Sequence, residues 1–275
     1  MDKEIMVKIK AWRWQIGVVG LALLGLAYGL YFGQQPSPNE QLTTNPEQPM
    51  SQDPLNVLFI GNSLTYSNDM PAIVEALAKA TGQQRLVYRM VASGGVSLED
   101  HWKQGAVRKT IAQGGWDVVV LQQGPSALPE SRVLLIEYSR KFAAEIRRAG
   151  GKPALYMVWP ATSRFNDFDR VSESYRLAAE DIDGMLFPAG EAWRAGWRRD
   201  AQAAFYSRDG VHPTVLGSYL TALVIYEQLY GTLPASLPKK LIVQSRSVKT
   251  IELQPEQNEL LRAAAHEANQ KFGKR

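Results

Sequence analysis

Apolar and polar positions along the chain follow two alternating periods. Val57-Leu58-Phe59-Ile60 is a run of four bulky β-formers that stops at Gly61-Asn62-Ser63, and from Pro71 to Ala80 apolar residues return at helical spacing. Arg85 to Val91 alternates and suits a second strand. Val118 to Leu121, after Trp116-Asp117, is continuously apolar, as expected of a strand covered on both faces. Helical spacing recurs from Ser131 to Ala149, near Val171 to Ile182 and from Pro213 to Leu229, with strands expected at Ala154 to Trp159 and Gly184 to Pro188. The alternation predicts an α/β fold, a three-layer α/β/α sandwich with a parallel sheet. Right-handed crossovers then gather the reactive loops at the C-terminal edge of the strands.

The ends of the chain read differently. Segment 1–15 carries Lys3, Lys8, Lys10 and Arg13, and segment 16–33 is an uncharged apolar stretch from Ile16 to Phe32. At the helical rise this stretch spans roughly 25 Å, and Trp12, Trp14, Tyr28 and Tyr31 extend it as interfacial anchors. It is expected to be a transmembrane helix. Basic residues on its N-terminal side leave the N-terminus in the cytoplasm and the domain periplasmic or extracellular. A cleaved signal peptide, with Ala27-Tyr28-Gly29 as the small-residue site, exports the domain equally well. Residues 34–54 are rich in Gln, Pro, Asn, Ser and Thr and read as a disordered linker. The folded domain is expected over 55–233. A C-terminal extension, 234–275, contains a candidate strand at Leu241 to Gln244 and an amphipathic helix from Pro255 to Phe272, neither connected to chemistry.

Composition narrows the classes. The net charge of +4 is modest and dispersed over 275 residues, so no nucleic-acid footprint is indicated. The chain has no cysteine, which removes thiol nucleophiles, disulfides and cysteine-ligated metals together. Its three histidines, His101, His212 and His266, lack the HExxH spacing of a metal site.

Two stretches can carry chemistry. Ser63 at a strand-to-helix junction has its hydroxyl at the mouth of the sheet, beside N–H groups that favour developing negative charge. Taken alone, it equally suits a turn or helix cap. Ser207-Arg208-Asp209-Gly210-Val211-His212-Pro213 places a histidine at the start of the last long helix of the sheet region, with Pro213 at the first helical position. Asp209 can reach the imidazole Nδ1–H and leave Nε2 to take a proton from a serine. The alternative is an Asp-Gly turn followed by a surface histidine.

Gly61-Asn62-Ser63-Leu64 and Asp209-Gly210-Val211-His212-Pro213 together resemble the first and last blocks of the SGNH (GDSL-type) hydrolases, which have a flavodoxin-like sheet. The likeness covers most of Leu55 to Leu229, and its Leu-Gln-Gln and Leu-Glu-Asp-His-Trp runs are similar to an uncharacterised bacterial subgroup. It implies that Ser63 is the nucleophile, His212 the general base and Asp209 its orienting carboxylate. Gly94-Gly95-Val96 resembles the glycine block, so Ser63 N–H and Gly95 N–H become oxyanion donors. The third donor in the family is an asparagine, whereas here β-strand residues end in Leu121-Gln122-Gln123-Gly124, and the role falls to Gln122, with Gln123 as alternative. No metal or organic cofactor is implied. A Gly-x-Ser-x-Gly elbow, the mark of ordinary α/β-hydrolases, is absent around Ser63.

Other residues stay open between function and packing. His101, Trp102 and Trp159 either line the substrate cleft or belong to the core. Trp193, Trp197, Phe205 and Tyr206 form a carbohydrate platform or pack internally, and His266 is expected to be solvated. The leading expectation is a serine esterase acting on small-molecule or glycan esters, including O-acetyl groups. An envelope O-acyltransferase with the same triad and a non-catalytic anchored glycan-binding module are the alternatives.

Overall fold

The computed structural model describes residues 53–275, position 246 excepted. The segments read as transmembrane helix or signal peptide, and all but the last two residues of the linker, lie outside the described residues. No helix among the described residues is long and apolar enough to cross a membrane.

Five strands form the sheet: β1 (Leu55–Gly61), β2 (Leu86–Ala92), β3 (Val118–Leu121), β4 (Lys152–Tyr156) and β5 (Met185–Phe187). Their order is β2-β1-β3-β4-β5 and every pairing is parallel. Val57 to Ile60 and Val118 to Leu121 are all buried, which explains why these two central strands read as unbroken apolar runs rather than alternating ones. β2, at an edge, keeps only Leu86 fully buried. The nucleophile candidate therefore follows a strand with neighbours on both sides, the most constrained place in the sheet.

The helices are α1 (Ser63–Tyr66), α2 (Met70–Ala80), α3 (Leu98–Gln104), α4 (Ala106–Ala112), α5 (Pro129–Arg148), α6 (Phe168–Asp181), α7 (Ala189–Arg199), α8 (Val215–Tyr230) and α9 (Pro255–Phe272). One group, α2, α7, α8 and α9, packs together, and another comprises α3, α4, α5 and α6. Three helices escape the periodicity. α3 and α4 have seven residues each, split by Gly105 in a left-handed conformation, too short to show a repeat. α7 carries two glycines and two tryptophans, so its aromatics read as a cluster rather than a helix face. β4 ends at Tyr156, earlier than its apolar run suggests, because Met157 to Trp159 remain buried beyond the ladder.

Pro213 is not the first residue of α8. Thr214 is the N-cap, its hydroxyl accepting from Gly217 N–H at 3.1 Å, so the helix begins at Val215 and His212 stands on the loop before it. The C-terminal segment folds against the rest: β6 (Lys240–Gln244) and β7 (Val248–Glu252) form an antiparallel hairpin beside α2, and α9 packs on α7 and α8. His266 is exposed, as expected, and also bonds inward. Its Nδ1 lies 2.5 Å from Oε1 of Glu227, a carboxylate buried on α8 that also accepts from Asn269 Nδ2 at 2.7 Å. A carboxylate with these partners ties α9 to α8, since removing it from water requires compensating hydrogen bonds.

Candidate active site

β1 delivers the chain to Gly61 and the backbone turns at Asn62, which caps α1: its Oδ1 accepts from Leu64 N–H at 3.1 Å. Ser63 is thus the first residue of α1. The turn is held from behind by Gln122, which follows β3 and is fully buried. Gln122 Oε1 accepts from Asn62 N–H at 2.8 Å and from Thr65 Oγ1 at 2.7 Å, while its Nε2 donates to Asn62 Oδ1 at 3.0 Å and to Gln123 O at 2.6 Å. A backbone N–H can face only an acceptor, so the orientation of this carboxamide is determined by its partners. Gly61 is required here because a Cβ would stand 2.3 Å from both Gln122 Oε1 and Thr65 Oγ1.

The same network corrects the oxyanion expectation. Both amide hydrogens of Gln122 are engaged, leaving no donor for a substrate oxygen. Gln123 is equally occupied, its Nε2 donating to Ser126 Oγ at 2.8 Å and its Oε1 accepting from Leu98 N–H at 3.3 Å. The glycine turn is placed beside the serine by Asn62, whose Nδ2 donates to Val96 O at 3.1 Å. Neither Ser63 N–H nor Gly95 N–H donates to another group among the described residues.

His212 closes the site from the other side. Its Nε2 lies 2.8 Å from Ser63 Oγ and its Nδ1 lies 2.6 Å from Asp209 Oδ2. Asp209 Oδ1 accepts from Ser207 Oγ at 2.7 Å and from the N–H groups of Val211 and His212, each at 2.9 Å. The His212 contact first, and then these three donors, hold the Asp209 carboxyl well below the usual carboxylate range. An ionised carboxylate accepts only, so Nδ1 carries the proton and Nε2 presents a lone pair to the serine hydroxyl. About half of the Asp209 side chain (51%) and 39% of His212 are exposed, so solvent reaches the imidazole.

The loop is braced by aromatic packing. Trp159 Nε1 donates to Val211 O at 3.0 Å, and its ring stacks on Trp193 with centroids 3.5 Å apart. Thr162 N–H donates to Gly210 O at 2.8 Å; Gly210 has φ +68° and its Cβ would fall 2.2 Å from Thr162 Oγ1, so only glycine suits the position. Tyr206 Oη donates to Pro160 O at 2.5 Å. Trp193 and Phe205 are fully buried and pack behind the loop, with Trp197 and Tyr206 half-buried against them.

Three expected substrate contacts have other places. His101 is buried at 2% exposure and its Nε2 lies 2.8 Å from Gly61 O, so this nitrogen carries a proton and grips the turn that presents Ser63. Trp102 packs edge-on to Phe142 beneath Arg108. Trp159 is 1% exposed and supports the histidine loop from within. Position in sequence beside a motif put these residues near the site, but His101 and Trp159 turn inward and Trp102 is half-buried against Phe142. Asn68 is a connection that sequence reasoning missed: its Nδ2 donates to Pro213 O at 3.0 Å and to Ser218 Oγ at 2.9 Å, joining the serine side to the histidine side.

No family model matches this sequence, and a search of curated proteins found no match. Among solved structures, a candidate SGNH hydrolase from Slackia heliotrinireducens is 28% identical, with a TM-score of 0.54, over 64% of this chain and 98% of that chain. A DUF4886 family protein from Bacteroides uniformis is 19% identical, with a TM-score of 0.59, over 80% of this chain and 96% of that chain. A lipase/acylhydrolase from Enterococcus faecalis is 16% identical, with a TM-score of 0.53, over 66% of this chain and 99% of that chain. The solved structures that this chain is similar to include a candidate SGNH hydrolase and a GDSL-like lipase, and it shares their fold.

His101→Ala removes a buried hydrogen bond and leaves a void beside the turn that presents Ser63. Folding stability should fall by about 1–3 kcal/mol in urea denaturation, and kcat should fall more than KM changes. Unchanged stability together with unchanged kcat would show that the ring does not hold Gly61.

Proposed function

We propose that this chain is a serine esterase that cleaves carboxylic esters through Ser63, His212 and Asp209. The observation that carries the reading is the contact of 2.8 Å between Ser63 Oγ and the His212 nitrogen opposite the one bonded to Asp209. The kinship in fold with SGNH and GDSL-type hydrolases supports a hydrolase acting on ester bonds.

In this reading Ser63 Oγ attacks the ester carbonyl carbon while its proton passes to His212 Nε2. The carbonyl oxygen becomes an oxyanion, stabilised by Ser63 N–H and Gly95 N–H, groups already fixed before substrate arrives. As the intermediate collapses, the C–O bond to the alcohol breaks and His212 returns the proton to the leaving oxygen. Water then attacks the acyl-serine as His212 takes its proton, the acyl bond to Ser63 Oγ breaks, and His212 returns the proton to Oγ as the acid departs. Asp209 stays ionised throughout and stabilises the imidazolium. Exposure of the His212 and Asp209 side chains favours water as the acyl acceptor over a glycan, because transfer requires that water be kept out.

Ser63→Ala should lower kcat on p-nitrophenyl acetate by at least about 10³-fold with an unchanged denaturation midpoint. Wild-type turnover in that variant would remove Ser63 from the mechanism. The basic segment followed by an apolar stretch at the N-terminus supports the further proposal that the domain is exported, either held at a membrane by residues 16–33 or released after cleavage. Cell fractionation should find the esterase in the membrane or outside the cytoplasm. Recovery of the intact chain as a cytoplasmic soluble protein would contradict export.

A further inference from the structure

Resting on the esterase reading, we propose that Tyr66 is a further catalytic residue, whose hydroxyl donates to the carbonyl oxygen of the substrate as that oxygen becomes an oxyanion. The two glutamines after β3 leave this place unfilled. Gln122 Nε2 donates to Asn62 Oδ1 and Gln123 O, and Gln123 Nε2 donates to Ser126 Oγ and Ser131 O. Only the backbone N–H groups of Ser63 and Gly95 then remain for the oxyanion, and a charged oxygen can accept a third hydrogen bond.

Tyr66 closes the short helix that Ser63 opens. Its N–H bonds to Asn62 O at 3.3 Å, and residues three and four apart share a helix face, so Tyr66 stands on the side that carries Asn62 and Ser63. Side chains on a helix lean towards its N-terminus, here towards the turn that presents the serine. This face meets the glycine turn at two points. Asn62 Nδ2 holds Val96 O at 3.1 Å, and Tyr66 Oη lies 3.3 Å from where a Cβ on Gly94 would stand. Gly95 lies between those two residues in the chain, and the missing side chain at Gly94 leaves the phenol its room.

The fold itself has no use for this hydroxyl. Tyr138, Tyr175 and Tyr206 direct theirs to Glu99, Gln123 O and Pro160 O. Tyr66 is exposed, and among the described residues its Oη bonds to no protein group. A neutral O–H that is free beside two oriented N–H groups bonds more strongly as charge builds on the oxygen it faces. No proton moves in this contact; His212 remains the base.

Tyr66→Phe removes the hydroxyl and keeps the ring. On p-nitrophenyl acetate, kcat should fall by about 10²-fold with KM and the denaturation midpoint unchanged. A trifluoromethyl ketone, whose adduct with Ser63 carries the same oxyanion, should bind the variant more weakly by a similar factor. Wild-type kcat with wild-type affinity for the ketone, a loss confined to KM, or a loss that tracks a lowered denaturation midpoint would overturn the role of Tyr66 and leave the esterase reading intact. Absence of turnover by the wild-type chain on p-nitrophenyl acetate and its longer-chain homologues alike would overturn both.

Discussion

A single buried carboxamide joins the ends of the two central strands. Gln122 leaves β3 and reaches across to the first residues after β1, accepting from Asn62 N–H and Thr65 Oγ1 and donating to Asn62 Oδ1. In an environment without water each of these groups would be costly to leave unpaired, so the turn that presents Ser63 has one arrangement in which all are satisfied. Gly61 must lack a side chain for the amide to pass, and His101 grips its carbonyl from another side. Asn62 then extends the network to Val96 O, setting the glycine turn after β2 in register with the serine. The ends of three adjacent strands thus converge on one asparagine.

The histidine side is built by different means. Asp209, Gly210, Val211 and His212 lie on a loop whose carbonyls are held by Trp159 and Thr162, with the stacked pair Trp159 and Trp193 beneath it. Asp209 gathers three local donors on one oxygen and keeps the other for the imidazole, so the loop folds around a charge that orients His212. Asn68 fastens this loop to the serine side through Pro213. The imidazole therefore needs no large rearrangement to meet the hydroxyl, which is the kind of preorganisation that lowers a reaction barrier.

How much of this could be read from the chain depends on how local each feature is. The central strands are legible because burial on both faces leaves no polar position in Val57 to Ile60 or Val118 to Leu121. Ser63, Asp209 and His212 are legible because each sits in a short motif whose backbone turn is set by its own neighbours. Gln122 is not: a glutamine amide serves equally as a donor to a bound oxygen or as a clamp on a backbone turn, and only the positions of Asn62 and Thr65 decide between them. His101, Trp102 and Trp159 fail for a related reason, since proximity to a motif in sequence does not tell which way a large side chain turns. α3, α4 and α7 are hidden by their length or by glycine, and the placement of the C-terminal hairpin depends on contacts with residues some 180 positions earlier, such as Lys249 with Asp69.

Labelling with a fluorophosphonate, followed by peptide mapping of the modified chain, addresses the central claim most directly. A nucleophile made reactive by an oriented imidazole should be modified stoichiometrically on the peptide containing Ser63, and His212→Ala should abolish the adduct. Modification of a different serine, or no adduct on the folded wild-type chain, would contradict the account.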